Sequence, residues 1–223
     1  SLTLLGRDGT RLAAVASALE GAVAISCDIR DRAAVDAAFD RAAATHGSID
    51  ALVANAGVGG SNEPGEADRF DDIVATNVTG TYSCLRAAQR HLVEAPSPGH
   101  LVVISSVLAR IGVPGYTAYC ASKHGVIGFT RALALETLKR QITVNAIAPG
   151  WVDTDMAKLG MTQGATHAKT SFDEFKDRQI SAVPIKRIID PAEVAALVKF
   201  LCSPDASAIT GQTYNICGGQ TMD

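Results

Sequence analysis

Short apolar segments alternate along the chain with longer stretches of helical periodicity, and this alternation is what most constrains the fold. Six apolar segments have the length of buried strands and end in turn residues: they cover residues 2–5, 22–26, 49–54, 101–104, 142–147 and 212–217. A helix with Leu12, Val15, Ala16 and Leu19 on one face follows the first strand, and further helical stretches lie at 31–46, 68–78, 80–94, 117–140 and 190–202. Strands that alternate with helices form parallel sheets covered on both faces. The sequence therefore predicts an α/β fold with a doubly wound parallel sheet.

We expect one domain, residues 1–223, with a single long irregular segment. Residues 153–187 are polar, contain Gly160 and Gly164, and show weaker periodicity than the rest. Loops of this length in compact domains are commonly lids over binding sites. The sequence therefore predicts a substrate lid at about 153–187.

The start of the chain is unusual for such a fold. It opens without a methionine on the apolar strand at 2–5, and no glycine-rich strand–turn–helix precedes that strand. A strand buried on both faces needs neighbours for its backbone hydrogen bonds. We therefore expect the natural protein to have a further βα unit before residue 1.

Composition excludes several classes of function. The chain has 223 residues and a formal net charge of -3, too small and too mixed in sign to indicate nucleic acid as the main partner. No apolar stretch is long enough to span a bilayer, and no signal-peptide pattern is present, so no membrane partner is expected. The five cysteines are scattered without a Cys-x-x-Cys pair, which favours buried thiols in a reducing cytoplasm. The five histidines have no metal-ligand spacing, so we expect no metal site.

One set of polar residues could carry carbonyl chemistry. Tyr119 and Lys123 are four residues apart on the helix at 117–140, so they share a face, and Ser106 follows the strand at 101–104. An ammonium near a phenol stabilises the phenolate and lowers the tyrosine pKa, and a serine hydroxyl could hold a substrate oxygen against that phenol. Taken singly, each is more often a surface pair or a strand-end turn. Their combination indicates a site for proton transfer to or from a carbonyl or alcohol oxygen.

Together with Asn77, these residues and two further motifs resemble the short-chain dehydrogenase/reductase family. The motifs are Asn55-Ala56-Gly57 after the third strand and Pro149-Gly150-x-x-x-Thr154 after the fifth, and the resemblance extends over essentially the whole chain. There are two departures from the family pattern. The glycine-rich phosphate loop is absent, which leaves the diphosphate site without assignable residues, and Ala54 stands where the commonest motif has a second asparagine.

The resemblance implies a Rossmann-type fold that binds a nicotinamide coenzyme at the carboxyl ends of the strands. By this resemblance, Asp28 and Ile29 would contact the adenine, and Asn55, Ala56 and Gly57 would form the floor near the adenine ribose. Lys123 would bond the nicotinamide ribose, and Pro149, Gly150, Val152 and Thr154 would hold the carboxamide end, with Tyr119 beside the nicotinamide. For Asp28, a helix-capping or turn aspartate is an equal alternative.

The end of the first strand bears on the choice of coenzyme. NAD-dependent enzymes of this fold have an acidic side chain there, which accepts hydrogen bonds from the ribose diol. Here Gly6 occupies that position and Arg7 follows, and a guanidinium suits the extra phosphate of NADP. The residues therefore favour NADP(H). The alternative is NAD(H), with Arg7 solvated and Asp8 reaching the ribose.

The implied mechanism is hydride transfer coupled to proton transfer by Tyr119, with Ser106 fixing the substrate oxygen and Lys123 tuning the tyrosine. Asn77 would hold a water that connects Lys123 to solvent, or act as a structural asparagine that kinks its helix. The residues that flank the catalytic positions form a largely apolar substrate pocket: Val107, Leu108, Tyr116, Trp151 and Met156. Trp151 could roof the substrate or pack the lid hinge.

The substrate is the least constrained expectation. The segment 106–129 and the ending Tyr-Asn-Ile-Cys-Gly-Gly are similar to polyketide and 3-oxoacyl thioester ketoreductases. This similarity implies an NADP(H)-dependent carbonyl reductase or secondary alcohol dehydrogenase that acts on a β-ketoacyl thioester or polyketide-like ketone. The alternatives are an NAD-dependent dehydrogenase of an alicyclic or aromatic secondary alcohol, and a non-catalytic nucleotide-binding regulatory protein. Family resemblance also implies a cytoplasmic homotetramer.

Overall fold

The computed structural model describes residues 1–66, 68–92 and 99–222, and all the strands in these ranges run parallel. Four strands form one sheet in the order β3-β4-β5-β6, and β1 pairs with β2 alone. The strands are β1 (Leu2–Gly6), β2 (Ala22–Ser26), β3 (Ala51–Ala54), β4 (Gly99–Ile104), β5 (Ile142–Pro149) and β6 (Thr213–Ile216). The six predicted strands are confirmed, with ends shifted by one or two residues.

Helices connect successive strands, as the sequence pattern predicts for a parallel sheet. They are α1 (Gly9–Ser17), α2 (Arg32–His46), α3 (Phe70–Val74), α4 (Thr81–Leu92), α5 (Thr117–Thr137), α6 (Asp155–Ala168), α7 (Phe172–Ala182) and α8 (Pro191–Leu201). A π-helical turn, Ala75–Gly80, joins α3 to α4. The helix predicted over 80–94 therefore begins one residue late, and its last two residues lie outside the described ranges.

The core lies on both faces of the central strands. Along β4, Leu101 and Val103 point into one apolar cluster, while Val102 points into the other. Every residue of β5 is buried. Alternate residues of a strand face opposite sides, so a strand buried on both sides is mostly apolar, and the buried Thr143 and Asn145 of β5 are hydrogen-bonded to His100 and Ile209. The predicted α/β, doubly wound, single-domain architecture is confirmed.

The first helix and the strands around it are much less buried. None of the nine residues of α1 is buried, and Val15 remains 47% exposed. Leu2 of β1 and Val53 of β3 are 46% and 40% exposed. Within the described residues, β1 and β3 each have a sheet edge without a strand partner. The predicted apolar face of α1 is therefore only partly confirmed: Leu12 and Ala16 are half-buried, Val15 is exposed, and Leu19 lies beyond the end of the helix.

The polar segment at 153–187 is mostly helical, which corrects the expectation of an irregular loop. Thr154 caps α6, and Ser171 with Glu174 forms a capping box at the start of α7. None of the helices in the described ranges has the length and apolar character that crossing a bilayer requires.

Candidate active site

The carboxyl end of β4 and the first turns of α5 bring three predicted residues together. Ser106 follows β4, and its Oγ accepts a hydrogen bond of 3.1 Å from the backbone N–H of Leu108. Tyr119 and Lys123 lie one turn apart on α5, and the Lys123 Nζ is 5.6 Å from the centre of the Tyr119 ring. A hydrogen bond from Ser106 to the Tyr119 phenol lowers the pKa of the phenol. The serine, the phenol and the ammonium thus share one site.

Lys123 is deeply buried for a charged residue. Only 6% of it is exposed, and its Nζ donates a 2.9 Å hydrogen bond to the Ile104 carbonyl. Burial removes water from the ammonium and lowers the pKa of Lys123 to about 8. The backbone of Lys123 is also anchored, because the Ser105 hydroxyl donates to its carbonyl at 3.0 Å.

The pKa of Tyr119 is shifted in the direction opposite to the expectation. Burial of the phenol is the largest cause and raises its pKa, and this outweighs the lowering by the Ser106 hydrogen bond. The prediction that Lys123 lowers this pKa is therefore wrong for this state of the protein. The physical reason is that desolvation penalises the phenolate, while the Lys123 ammonium is directed at the Ile104 carbonyl.

Asn77 lies in the π-helical turn and ties the loop after β3 to α5. Its Oδ1 accepts from Val58 N at 2.8 Å, and its Nδ2 donates to the Val58 carbonyl at 2.9 Å and to Ser122 Oγ at 3.1 Å. Both amide protons are therefore used, and the side chain acts as a structural link. The water predicted to join Lys123 to solvent stays a prediction.

The predicted Asn55-Ala56-Gly57 motif passes directly over the lysine. Asn55 and Ala56 are exposed, whereas a Cβ on Gly57 would lie 3.1 Å from Asn77 Oδ1 and 3.6 Å from Lys123 Nζ. Glycine therefore allows the backbone to approach the buried ammonium.

The loop after β5 lies at the same edge of the sheet. A Cβ on Gly150 would lie 3.1 Å from the Cα of Cys217, so glycine is required for this close packing against the end of β6. Val152 bridges to Ile189, and the Thr154 hydroxyl is used as the cap of α6, where it accepts from Ala157 N at 3.2 Å. The predicted carboxamide-binding segment is thus a rigid turn.

The end of β1 opens into a cavity of about 360 Å³ whose lining includes Arg7 and Asp8. Asp8 caps α1 by accepting from Arg11 N at 3.0 Å, so one of its oxygens is already engaged. Arg7, the cation predicted to bind the extra phosphate, lines this cavity together with a second cation, Arg11.

Asp28 is held mainly by its neighbour Arg30. The Arg30 Nη2 donates to Asp28 Oδ2 at 2.6 Å, and this bond is the main reason that the pKa of Asp28 falls to about 2. The Ile29 side chain packs against Gly80, where a Cβ would come within 2.7 Å of it. The side chain is occupied by this packing, so Ile29 could contact a coenzyme only through its backbone.

One of the predicted substrate residues, Met156, lies beside the Tyr119 ring. A Cβ on Gly59 would lie 3.1 Å from Met156 Sδ and 3.7 Å from Tyr119 Cε2, so Met156 and the phenol face each other across this glycine. Trp151 packs against Gly160 of α6, which supports the lid-hinge alternative. The remaining predicted lining residues are partly or fully buried nearby in the chain: Val107, Leu108 and Tyr116.

Two polar residues that the sequence analysis missed hold the walls of the site. Asn62 Oδ1 accepts from Ala118 N at 2.9 Å and so caps the start of α5, next to Tyr119. Arg69 Nη1 donates to the Gly59 carbonyl at 2.9 Å. Both lie in polar loop sequence without periodicity, and no local signal marks them.

The site itself is an acid–base arrangement of hydroxyl, phenol and ammonium. Residues 1–66, 68–92 and 99–222 contain no group of three or more His, Cys, Asp or Glu that could hold a metal ion.

Comparison with known proteins gives consistent matches over almost the whole chain. A family model described as enoyl-(acyl carrier protein) reductase matches residues 2–221. The 3-oxoacyl-(acyl-carrier-protein) reductase FabG of Vibrio harveyi is 35% identical over 205 residues, which are 91% of this chain and 79% of that protein.

Two solved structures extend the comparison to three dimensions. A tryptophan variant of actinorhodin polyketide ketoreductase with NADPH superposes with a TM-score of 0.92 at 35% identity, over 98% of this chain and 86% of that one. The 3-ketoacyl-(acyl-carrier-protein) reductase of Brucella melitensis complexed with NADH gives a TM-score of 0.87 at 30% identity, over 99% and 87% of the two chains.

Proposed function

Because the chain belongs to the short-chain dehydrogenase/reductase family of oxidoreductases, we propose that it is an NADP(H)-dependent carbonyl reductase whose substrates are β-ketoacyl thioesters or polyketide-like ketones. One observation carries this proposal. The Tyr119 phenol lies beside the Ser106 hydroxyl and the Lys123 ammonium, and Met156 faces the same ring. A protein that only bound nucleotides would have no need of this arrangement.

A bound nicotinamide coenzyme would supply the hydride to the carbonyl carbon. Tyr119 donates its phenolic proton to the substrate oxygen, and its raised pKa keeps it protonated at neutral pH. The Ser106 Oγ accepts from a backbone N–H, so its single proton, which otherwise bonds the Tyr119 phenol, can be donated to a bound substrate oxygen and fix its position. The Lys123 Nζ lies 5.6 Å from the centre of the Tyr119 ring, and Lys123 would bond the nicotinamide ribose of the bound coenzyme.

The residues fit such a coenzyme at both of its ends. At the ribose and nicotinamide end, Gly57 leaves the backbone open above Lys123, and Gly150 holds its turn against Cys217. At the adenosine end, Arg7 and Asp8 line an open cavity. The resemblance to a ketoreductase with NADPH supports NADP(H), while the Brucella relative with NADH keeps NAD(H) as the alternative.

Arg7→Ala tests the coenzyme preference. We expect kcat/KM for NADPH to fall by about 10- to 100-fold, since a hydrogen-bonded charge pair with the phosphate is lost. We expect kcat/KM for NADH to change less than about threefold, because NADH lacks that phosphate. A wild-type protein that prefers NADH, or an equal loss with both coenzymes, would overturn the phosphate-binding role of Arg7.

Tyr119→Phe tests the catalytic assignment. We expect kcat for ketone reduction to fall by about 10²- to 10⁴-fold, because the proton donor is removed while the ring is kept. Binding of NADPH, followed by the fluorescence of its nicotinamide, should stay within about threefold of wild type. Retention of more than a tenth of the wild-type kcat would exclude the phenol as the donor. Normal coenzyme binding without turnover of any ketone in the wild-type protein would instead favour the regulatory alternative.

The substrate class is proposed from the pocket and the relatives. Met156, Leu108 and Val107 are apolar and flank the catalytic positions, which suits the carbon skeleton of a β-ketoacyl chain. The Vibrio relative is named for 3-oxoacyl substrates on an acyl carrier protein. A panel of β-ketoacyl thioesters, bicyclic ketones and simple cyclohexanones, ranked by kcat/KM, would test the class. A clear preference for cyclohexanones would favour the alicyclic alternative.

The proposal includes assembly as a homotetramer. Large apolar side chains are exposed near the end of α5 and on α8: Leu135 is 74%, Leu138 50% and Phe200 42% exposed. Exposed large apolar side chains are common at subunit contacts.

A further inference from the structure

Gly59 forms one wall of the candidate site, and its position is set by a residue from outside the site. A Cβ added to Gly59 would lie 3.1 Å from Met156 Sδ and 3.7 Å from Tyr119 Cε2, so this backbone is close to both side chains and a shift of it changes the space beside the phenol. The next residue, Gly60, is buried and has a φ of +113°, a backbone conformation that glycine accepts readily and other residues do not. Asn77 anchors the loop at Val58, and Asn62 anchors it at the start of α5, but neither set of bonds reaches the Gly59 carbonyl.

Arg69 supplies the missing constraint. It stands at the start of α3, and its guanidinium donates from Nη1 to the Gly59 carbonyl at 2.9 Å and from Nη2 to Asp72 Oδ2 at 3.0 Å. The planar guanidinium places its donors in a fixed fork, so holding Asp72 with one nitrogen directs the other at Gly59.

The carboxylate that holds Arg69 is itself held from the coenzyme side. Arg30 Nη1 lies 3.5 Å from Asp72 Oδ1, and the Nη2 of the same Arg30 donates a hydrogen bond to Asp28 Oδ2. The side chains that form these three linked ion pairs are about one-third to nearly one-half exposed, so each pair alone contributes little to stability. Their value is geometric, because together they fix where the Arg69 guanidinium stands.

The lid helix meets the loop at the same point. A Cβ on Gly60 would lie 3.0 Å from Arg69 Nη1 and 3.3 Å from Gln163 Oε1 of α6. This Gln163 oxygen is buried and has no hydrogen-bond partner among the described residues. Arg69 therefore stands where the loop, α3 and the lid come together.

We propose that Arg69 is a positioning residue that sets the substrate side of the pocket by holding the Gly59 carbonyl against α3. Its hydrogen bond fixes the distance between Gly59, Met156 and Tyr119, and so determines how bulky a ketone can reach the phenol. The inference rests on the proposed function for its kinetic consequence, but its structural consequence for the loop does not.

The test compares Arg69→Met and Arg69→Lys with the matched control Arg90→Met. Arg90 of α4 is also a partly exposed arginine paired with an aspartate, Asp36, but its ion pair joins α4 to α2. In Arg69→Met, we expect KM for a β-ketoacyl thioester to rise about 5- to 30-fold, because the released loop would hold the substrate-binding shape for only part of the time. We expect kcat and the Kd of NADPH to stay within about threefold, because neither the phenol nor the coenzyme contacts are changed. Arg69→Lys keeps a donor for Gly59 and should give an intermediate KM.

A second measurement does not depend on turnover. Amide hydrogen exchange of the peptide covering 55–62 should be faster in Arg69→Met than in wild type and unchanged in Arg90→Met. Unchanged exchange in both Arg69 variants overturns the inference whether or not the protein reduces a ketone. A KM within twofold of wild type in both variants, or a Kd of NADPH that rises as much as KM, also overturns it. If Arg69→Met does not fold, Arg69→Lys supplies both readouts. Faster loop exchange in a protein that reduces no ketone would contradict the proposed function alone.

Discussion

At the scale of single residues, the buried ammonium of Lys123 stands out because it costs stability. Its pKa of about 8 lies below the reference of 10.5, so the folded state disfavours the charged form. A depression of this size corresponds to a destabilisation of the folded state by about 3 kcal/mol. Below pH 8 this destabilisation acts in full, because both the folded and the unfolded chain then carry the proton. Between pH 8 and 10.5 the unfolded chain keeps the proton that the folded protein has lost, so stability rises with pH in this window.

Lys123→Met should therefore stabilise the protein while abolishing its activity. We expect the free energy of unfolding at pH 7 to increase by about 2 kcal/mol, since the desolvation cost is removed and the Ile104 carbonyl loses its partner. The gain should shrink as pH rises from 8 to 10. Urea titrations of both proteins at pH 7 and pH 9.5 measure it, with Lys199→Met of α8 as an exposed-lysine control. A variant less stable than wild type at pH 7 would contradict the argument.

The same scale shows which parts of the candidate site could be predicted from sequence. Ser106, Tyr119 and Lys123 are found from sequence because strand ends and the helical repeat place them. The direction of the Tyr119 pKa shift could not be predicted, because it depends on how deeply the phenol is buried. Arg69 and Asn62 act on backbone groups that only the folded loops bring near them.

At the scale of elements, α6 shows how a local sequence pattern can predict the wrong structure. Gly160 and Gly164 both lie inside α6, and glycine lowers the expectation of a helix. Tertiary packing accounts for one of them, because Gly164 gives room to Phe175 of α7. The capping box of Ser171 and Glu174 is visible in the sequence as a helix start and could have revealed α7.

The π-helical turn at Ala75–Gly80 is a second element that sequence could not predict. It holds Asn77 where its amide meets Val58 and Ser122. Such turns arise from a tertiary requirement and often lie at functional sites.

Alanine at Gly160 and alanine at Gly164, both in α6, should have opposite effects on the unfolding free energy. At Gly160 the new methyl group would lie 3.6 Å from the Trp151 ring, an ordinary contact, so we expect a gain of about 0.5–1 kcal/mol in unfolding free energy. At Gly164 it would lie 2.3 Å from the Phe175 ring, so we expect a net loss of about 1–2 kcal/mol from overpacking. Thermal or urea unfolding of both variants measures the difference. Equal effects at the two positions would show that α6 and α7 do not pack as described.

At the scale of the whole molecule, burial is uneven in a way that bears on assembly. The two apolar clusters around β4 and β5 consist of buried side chains. On the α4–α5 side, by contrast, Tyr82, Leu135 and Leu138 are exposed to solvent. Arg86 of α4 donates to Glu136 of α5 at 2.8 Å, so the two helices form one connected surface. Polar bonds within the surface and apolar side chains at its centre are common in symmetric subunit contacts.

Leu135→Glu should therefore dissociate the proposed homotetramer. A carboxylate buried at a subunit contact loses its water without gaining a partner, and this cost is repeated in every copy of the interface. Light scattering after gel filtration should give about four times 23.1 kDa for the wild type and a smaller particle for the variant. Leu159→Glu is the matched control, because Leu159 is also exposed, at 53%, but lies on α6, outside the α4–α5 surface. A wild-type protein that is monomeric at micromolar concentration, or a variant that keeps the wild-type mass, would show that this surface faces solvent in the native protein.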